Sequence, residues 1–195
     1  MAKLKLKRSN NQTADFLTPD ELNKLLKYLA NNEKWFYYLI VRLGVSTALR
    51  FSDLTQLTWV DLIGKSDLEV KEQKTGKVRS IPLSKELSAF IVGIYEKMGK
   101  PNKNDRLFVI TNTGINKQLK LYAAKAGIRN KNITTHTFRK TMAREVWERN
   151  DCSDAVLTKL SVLLRHSSTQ ITRLYLGITQ AEVKDLYAFD DLFVY

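Results

Sequence analysis

The sequence predicts an α+β domain that is mainly α-helical, with one small antiparallel β-sheet near residues 60–83. Three observations predict it. Apolar residues recur at helical spacing along most of the chain, beginning with Leu22, Leu25, Leu26 and Leu29. The pattern changes to alternation at Leu68-Glu69-Val70-Lys71 and again from Val78 to Leu83, on either side of a Thr75-Gly76 turn signal. A length of 195 residues with 44% hydrophobic content suits one compact domain with a sizeable core.

Residues 1–15 read as a basic arm or interdomain linker, in which Lys3, Lys5, Lys7 and Arg8 interleave with Leu4 and Leu6. That composition suits an extended strand along DNA, a loose tail, or the stub of a preceding domain. Residues 16–195 read as the folded domain with its C-terminal tail. Order begins at Thr18-Pro19-Asp20-Glu21, where Thr18 is the N-cap, Pro19 the first helical residue and Glu21 the partner in a capping box. A second helix is expected from about Lys34 to Ala48, and its unbroken apolar run from Tyr37 predicts burial on most sides. Ser52-Asp53 offers a cap for a short helix holding Leu54 and Leu57. The sheet follows, with Lys74 at its tip and Pro82 limiting the second strand.

Helical spacing resumes from Ser84 to about Met98, and Gly99 to Asp105 reads as a loop. Leu107-Phe108-Val109 is a short apolar segment and Asn112-Thr113-Gly114 a turn. A helix from about Asn116 to Ala126 ends at Gly127. Thr134 or Thr135 caps a helix bearing His136 and Arg139. Ser153 caps another through Val156, Leu157, Leu160 and Leu163. Ser167 or Ser168 opens a short helix leading to Tyr175, and Thr179 begins a last one before the apolar end Leu192-Phe193-Val194-Tyr195.

The formal net charge is +12. A basic domain attracts a polyanion because neutralising phosphates releases condensed counterions. Charge alone fits a solubilised surface or a structural protein equally well. One cysteine, Cys152, excludes an intrachain disulfide, and two histidines make a structural zinc site untenable. The sequence has no stretch of membrane-spanning length, and its start lacks the apolar block of a signal peptide. A cytoplasmic, nucleoid-associated protein that does not engage membranes is expected.

Six scattered residues carry the chemistry: Arg50, Lys74, His136, Arg139, His166 and Tyr175. His136 and Arg139 lie three apart on one helix, so they share a face and suit a joint grip on a phosphate. Arg50 follows an apolar helix at its negative end, where it fits equally a capping arginine or one paired to Asp53. Lys74 sits in a basic turn with Lys77 and Arg79, and Lys71 and Lys77 are rivals for its role. His166 also reads as a helix-end histidine and Tyr175 as a core aromatic, and Tyr187 and Tyr195 lie near the C-terminus too.

The segment Lys74-Thr75-Gly76-Lys77 lacks the spacing of a phosphate-binding loop. The sequence has no paired-His metal motif, no acidic cluster for two-metal phosphoryl transfer and no G-x-S-x-G elbow. Cations with a tyrosine suit metal-free transesterification.

In this order, Arg…Lys…His-x-x-Arg…His…Tyr, the chain resembles the catalytic domain of the tyrosine recombinases, the phage-integrase family. STALRFSDLTQLTWVDL resembles the first-arginine box, with Arg50 as the arginine and Asp53 as its acidic support. EQKTGKVRSIPL resembles the family's β-hairpin with Lys74 as its lysine. HTFR matches His-x-x-Arg, and LLRHSSTQITRLY matches the closing box with His166 and Tyr175. The resemblance covers about residues 16–180.

Two positions depart from it. Arg165 stands where glycine is usual before the histidine, and Lys140 where a second histidine often follows the arginine. The resemblance implies the tyrosine-recombinase catalytic fold and a site-specific recombinase that forms a 3′-phosphotyrosyl intermediate. Tyr175 would be nucleophile, Arg50 and Arg139 stabilisers of the pentavalent state, Lys74 general acid and His136 proton acceptor. His166 would hydrogen-bond a non-bridging oxygen. Lys77, Arg79, Lys140 and Arg165 are expected to contact DNA.

The resemblance also implies double-stranded DNA as partner, with a homotetramer on DNA, a monomer free in solution, and no metal or other cofactor. Family members usually carry an N-terminal core-binding domain. The chain is therefore expected to be an excised catalytic domain or akin to small stand-alone recombinases. A type IB topoisomerase and a non-catalytic DNA-binding module are the competing readings.

Overall fold

Thr18 opens the first helix as its sequence requires. Its side chain accepts from the Glu21 amide while Glu21 reaches back to the Thr18 amide at 2.8 Å, closing the capping box. A computed structural model describes residues 13–178. Among them are eight α-helices and one two-stranded sheet. The expected arm up to residue 12, the helix from Thr179, the apolar end, Tyr187 and Tyr195 lie outside the described residues.

Helix α1 spans Pro19–Asn31 and α2 spans Trp35–Thr47. As its composition predicts, α2 is central: Leu39, Ile40, Val41, Leu43 and Gly44 are all buried. It packs against α1, α4 (Lys85–Lys97) and α6 (Thr135–Glu148). Gly44 allows the closest of these approaches, because a Cβ there would lie 3.0 Å from the Cβ of Phe138 on α6. Helix α2 ends with Ala48 in the left-handed region at φ 52°, which turns the chain into the short α3, Phe51–Leu54. Arg50 is the N-cap of α3, so Ser52 and Asp53 lie inside the helix and not before it.

Strands β1 (Asp67–Lys71) and β2 (Val78–Pro82) pair antiparallel, Val70 opposite Arg79. Alternation turns Leu68, Val70 and Ile81 inward. Helix α5 runs Asn112–Lys125, one turn earlier than its sequence suggests. The Thr111 hydroxyl accepts from the Gly114 amide at 3.1 Å, so Asn112-Thr113-Gly114 is the capped first turn of the helix and not a separate turn. The apolar segment 107–109 forms no strand; the Leu107 amide donates to the Leu57 carbonyl at 2.8 Å beside an isolated bridge between Thr58 and Arg106, and Leu107 and Phe108 enter the core.

Two apolar clusters result. The larger gathers α1, α2, α4, α5 and the sheet around Leu39, Leu43, Trp59, Phe108 and Phe138. The smaller joins Ala48, Ala143, Trp147, Leu157, Leu160, Leu164 and Leu176 from the end of α2, the back of α6, α7 (Asp154–Leu163) and α8 (Thr169–Leu176). The C-terminal ends of α2 and α7 meet at the seam between them, beside the start of α6. No helix among the described residues is long and apolar enough to cross a membrane.

Candidate active site

The last carbonyls of a helix lack intrahelical partners and carry its negative dipole end. At the seam, arginines satisfy those of both α2 and α7. Arg139, only 3% exposed, donates to the carbonyls of Ala48 and Leu164. Arg50 donates to the same Leu164 carbonyl at 3.4 Å. Arg79 reaches the Leu163 carbonyl at 3.1 Å and the Thr47 carbonyl at 3.3 Å. Carbonyl caps hold the cations in place without neutralising them. Burial lowers the Arg139 guanidinium to about 10, against the opposing pull of the Tyr175 phenol, which leaves it protonated at neutral pH.

One carboxylate sits among these cations. Glu72 is 1% exposed, with Oε2 3.4 Å from Arg50 and Oε1 3.7 Å from both Arg79 and Arg165. The Thr75 hydroxyl donates to Oε2 at 3.0 Å, while Oε1 has ionic neighbours but no hydrogen bond. Arg50 pairs with Glu72 and not with Asp53. Asp53, fully buried, accepts from the Gln73 amide at 3.0 Å and so fixes the base of the hairpin turn to α3.

His136 and Arg139 share a face of α6, whose N-cap Thr134 accepts from the His136 amide at 3.2 Å. The Tyr175 hydroxyl donates to the His136 carbonyl at 3.4 Å. The Tyr175 ring stands edge-on to the His166 ring at 5.1 Å. His166 Nδ1 lies 3.0 Å from the Thr172 hydroxyl, which is itself bonded to Ser161 at 2.7 Å, so a buried hydroxyl pair orients the imidazole. Burial lowers the His136 pKa, as do the charges of Arg139 and Arg50. Burial and the same two arginines, with Lys74, lower His166 to about 4. Burial raises Tyr175 to about 12 although Arg139 and Arg50 favour its anion. At neutral pH the site holds two neutral imidazoles, a neutral phenol and fixed cations.

Five of the six sequence candidates, Arg50, His136, Arg139, His166 and Tyr175, thus come together through contacts or charges around Arg139. Lys74 is exposed on the β1–β2 turn and reaches the site by its charge on His166. Lys77 is exposed on the same turn. Arg50 and His136 line an open cavity of about 760 Å³ with Arg106, Val109 and Asn112; Tyr175 lies outside its lining.

Three of the residues expected to contact DNA make contacts within the protein. Lys140 is buried, and its ammonium donates to the Ala14 carbonyl at 3.1 Å. Consecutive helical residues point about 100° apart, so Lys140 cannot share the face of Arg139. Arg79 braces the ends of α2 and α7, and Arg165 faces Glu72. Arg165 also adopts φ 51°, the left-handed region that favours glycine, which accounts for the glycine usual in the resembling family. No group of three or more metal-ligating side chains occurs among the described residues.

Glu72 and Thr172 were not among the sequence candidates. Glu72 had a signal: the alternation that turns Leu68 and Val70 inward continues to position 72.

The family model described as the phage integrase family matches residues 15–182. The protein named "Probable integrase/recombinase YoeC" of Bacillus subtilis (strain 168) is 31% identical, over 86% of this chain and 91% of its own length. A protein named tyrosine recombinase XerD of Oceanobacillus iheyensis is 28% identical over 92% of this chain, which spans 63% of that relative. The crystal structure of XerA recombinase superposes with a TM-score of 0.67 at 23% identity, covering 94% of this chain and 67% of that one. A lambda integrase tetramer bound to a Holliday junction superposes with a TM-score of 0.60 at 18% identity, covering 87% and 50%. At such identities these two share the fold.

Proposed function

The chain belongs to the phage integrase family, and from that premise we propose that it is a site-specific tyrosine recombinase acting on double-stranded DNA. The observation that carries this reading is one tyrosine that feels the charges of Arg139 and Arg50, stands against the His166 ring and donates to the backbone carbonyl of His136. The Tyr175 oxygen attacks the scissile phosphorus and its proton passes to His136. The bond to the 5′-oxygen breaks, and Lys74 protonates that oxygen as it leaves. A 3′-phosphotyrosine and a free 5′-hydroxyl result. Attack by a partner strand's 5′-hydroxyl reverses the step, and the retained phosphodiester energy removes any need for ATP. Arg50 and Arg139 stabilise the extra charge of the pentavalent state, and His166 hydrogen-bonds a non-bridging oxygen.

A nicked suicide duplex tests this. Wild type is expected to accumulate a covalent protein–DNA adduct and Tyr175→Phe none. An adduct that persists in Tyr175→Phe overturns the nucleophile.

The geometry suits a type IB topoisomerase equally, but family membership favours strand exchange, and plasmid relaxation measured beside exchange separates the two. We further propose a monomer in free solution that assembles as a tetramer on DNA, in the cytoplasm with the nucleoid. The support is that a structural neighbour is a tetramer on a Holliday junction. Solution mass with and without residues 180–195 tests it: removal of those residues is expected to leave the free monomer unchanged and to abolish the tetramer on DNA.

A further inference from the structure

We propose that Glu72 is a positioning residue for the cleavage step, the counter-charge that sets Arg50 and the loop before His166 against the lysine-bearing turn; this rests on the function proposed above. Three guanidinium groups, from Arg50, Arg79 and Arg165, face this one buried carboxylate at 3.4, 3.7 and 3.7 Å. They come from three separate parts of the chain: the turn into α3, strand β2, and the loop after α7. The carboxylate belongs to a fourth, the start of the β1–β2 turn. There its own amide bonds the Lys77 carbonyl at 3.0 Å and its carbonyl takes the Gly76 amide at 2.8 Å. Thr75, next to Lys74, holds the Oε2 oxygen. One side chain therefore ties the turn that carries Lys74 to Arg50 and to the residue preceding His166.

The contacts are those of a spacer and not of a saturated ion pair. Oε1 has no hydrogen bond, and Arg50 meets Oε2 at the long distance of 3.4 Å. Arg50 keeps donors for a phosphate. Arg165 holds a left-handed backbone that is unfavourable for a residue with a Cβ; helix-end bonds from its amide to the Val162 carbonyl at 3.1 Å and from the His166 amide to the Ser161 carbonyl at 2.9 Å support it, and the side chain adds the ion pair with Glu72. Without the carboxylate, three cations would face one another across a buried space and separate.

The test compares Glu72→Gln with wild type on the nicked duplex under single turnover, with DNA affinity measured separately. Glu72→Gln is expected to form adduct at least tenfold more slowly at saturating DNA. Its affinity should be unchanged or tighter, because one negative charge has been removed from a DNA-binding face. The guanidinium Nε–H resonances of Arg50, Arg79 and Arg165 in the free protein should shift or broaden together. Glu72→Asp, which keeps the charge, is expected to cleave at an intermediate rate and carries the test if Glu72→Gln does not fold. Wild-type cleavage rates in both variants, or unmoved arginine resonances, overturn the role of Glu72 alone. A wild type that forms no adduct overturns the proposed function and this role with it.

Discussion

At the scale of single residues, the proposed mechanism asks the site to keep cations charged and the groups that would carry protons neutral. Arg139, lowered only to about 10, remains protonated, and the carbonyls at the ends of two helices replace the water it has lost. The imidazoles lose their protons first because burial disfavours their charged form and then because those cations stand beside them. An unfolded histidine titrates near 6.5, whereas His166 in the fold titrates at about 4. Between those values the unfolded chain binds the extra proton. Stability is therefore fully present above about pH 6.5 and is lost as pH falls toward 4. His166→Gln is expected to melt with a shallower dependence on pH across that window than wild type. Parallel curves would show that His166 is not held neutral.

The same scale explains what was legible. His136 and Arg139 could be read as a pair because helical spacing constrains them, whereas Tyr175 was singled out among eight tyrosines only by the family resemblance. Arg79 and Glu72 could have been read as inward-facing from the two-residue period of the strands, but a charge at an inward position is legible only once its partner is known. That partner lies across the fold, as Arg165 does for Glu72.

Among elements, the decisive contact is between α2 and α6. The end of α2 supplies the Ala48 carbonyl and leads into Arg50, while α6 supplies His136 and Arg139. Gly44 and Phe138 set their separation. Gly44→Val is expected to raise helix propensity slightly yet lower stability by about 1–3 kcal/mol, the usual cost of overpacking a filled core. Forcing the helices apart should also slow adduct formation, because Arg139 spans from α6 to Ala48. Chemical denaturation and single-turnover cleavage measure the two effects. A variant of wild-type stability and rate would show that the approach is not tight. Helix starts were readable at several hydroxyl caps, as at Thr18 and Thr134. The start of α5 was not, because Asn-Thr-Gly is a turn signal by composition, and only the Thr111 cap makes it helical.

For the whole molecule, charge governs the encounter with DNA. The net charge is +12, but several cations are committed internally: Lys140 to Ala14, Arg79 to two carbonyls, Arg165 to Glu72. Those groups release no counterions when DNA binds. On the proposed mechanism the cations that meet phosphate are Arg50 and Arg139, both of which also bond carbonyls, and the exposed pair Lys74 and Lys77. About four phosphate contacts predict a slope of log affinity against log salt near −3.6, at roughly −0.9 per contact. Between 50 and 200 mM salt the affinity should fall about a hundredfold. Lys74→Ala with Lys77→Ala should make the slope shallower by about 2 and weaken binding alike on all sequences, since phosphate contacts carry no base information. Lys140→Ala should leave the slope unchanged, because its ammonium is already spent on a carbonyl. A slope that moves with Lys140 and not with the turn lysines would mean that DNA meets a different face of the domain.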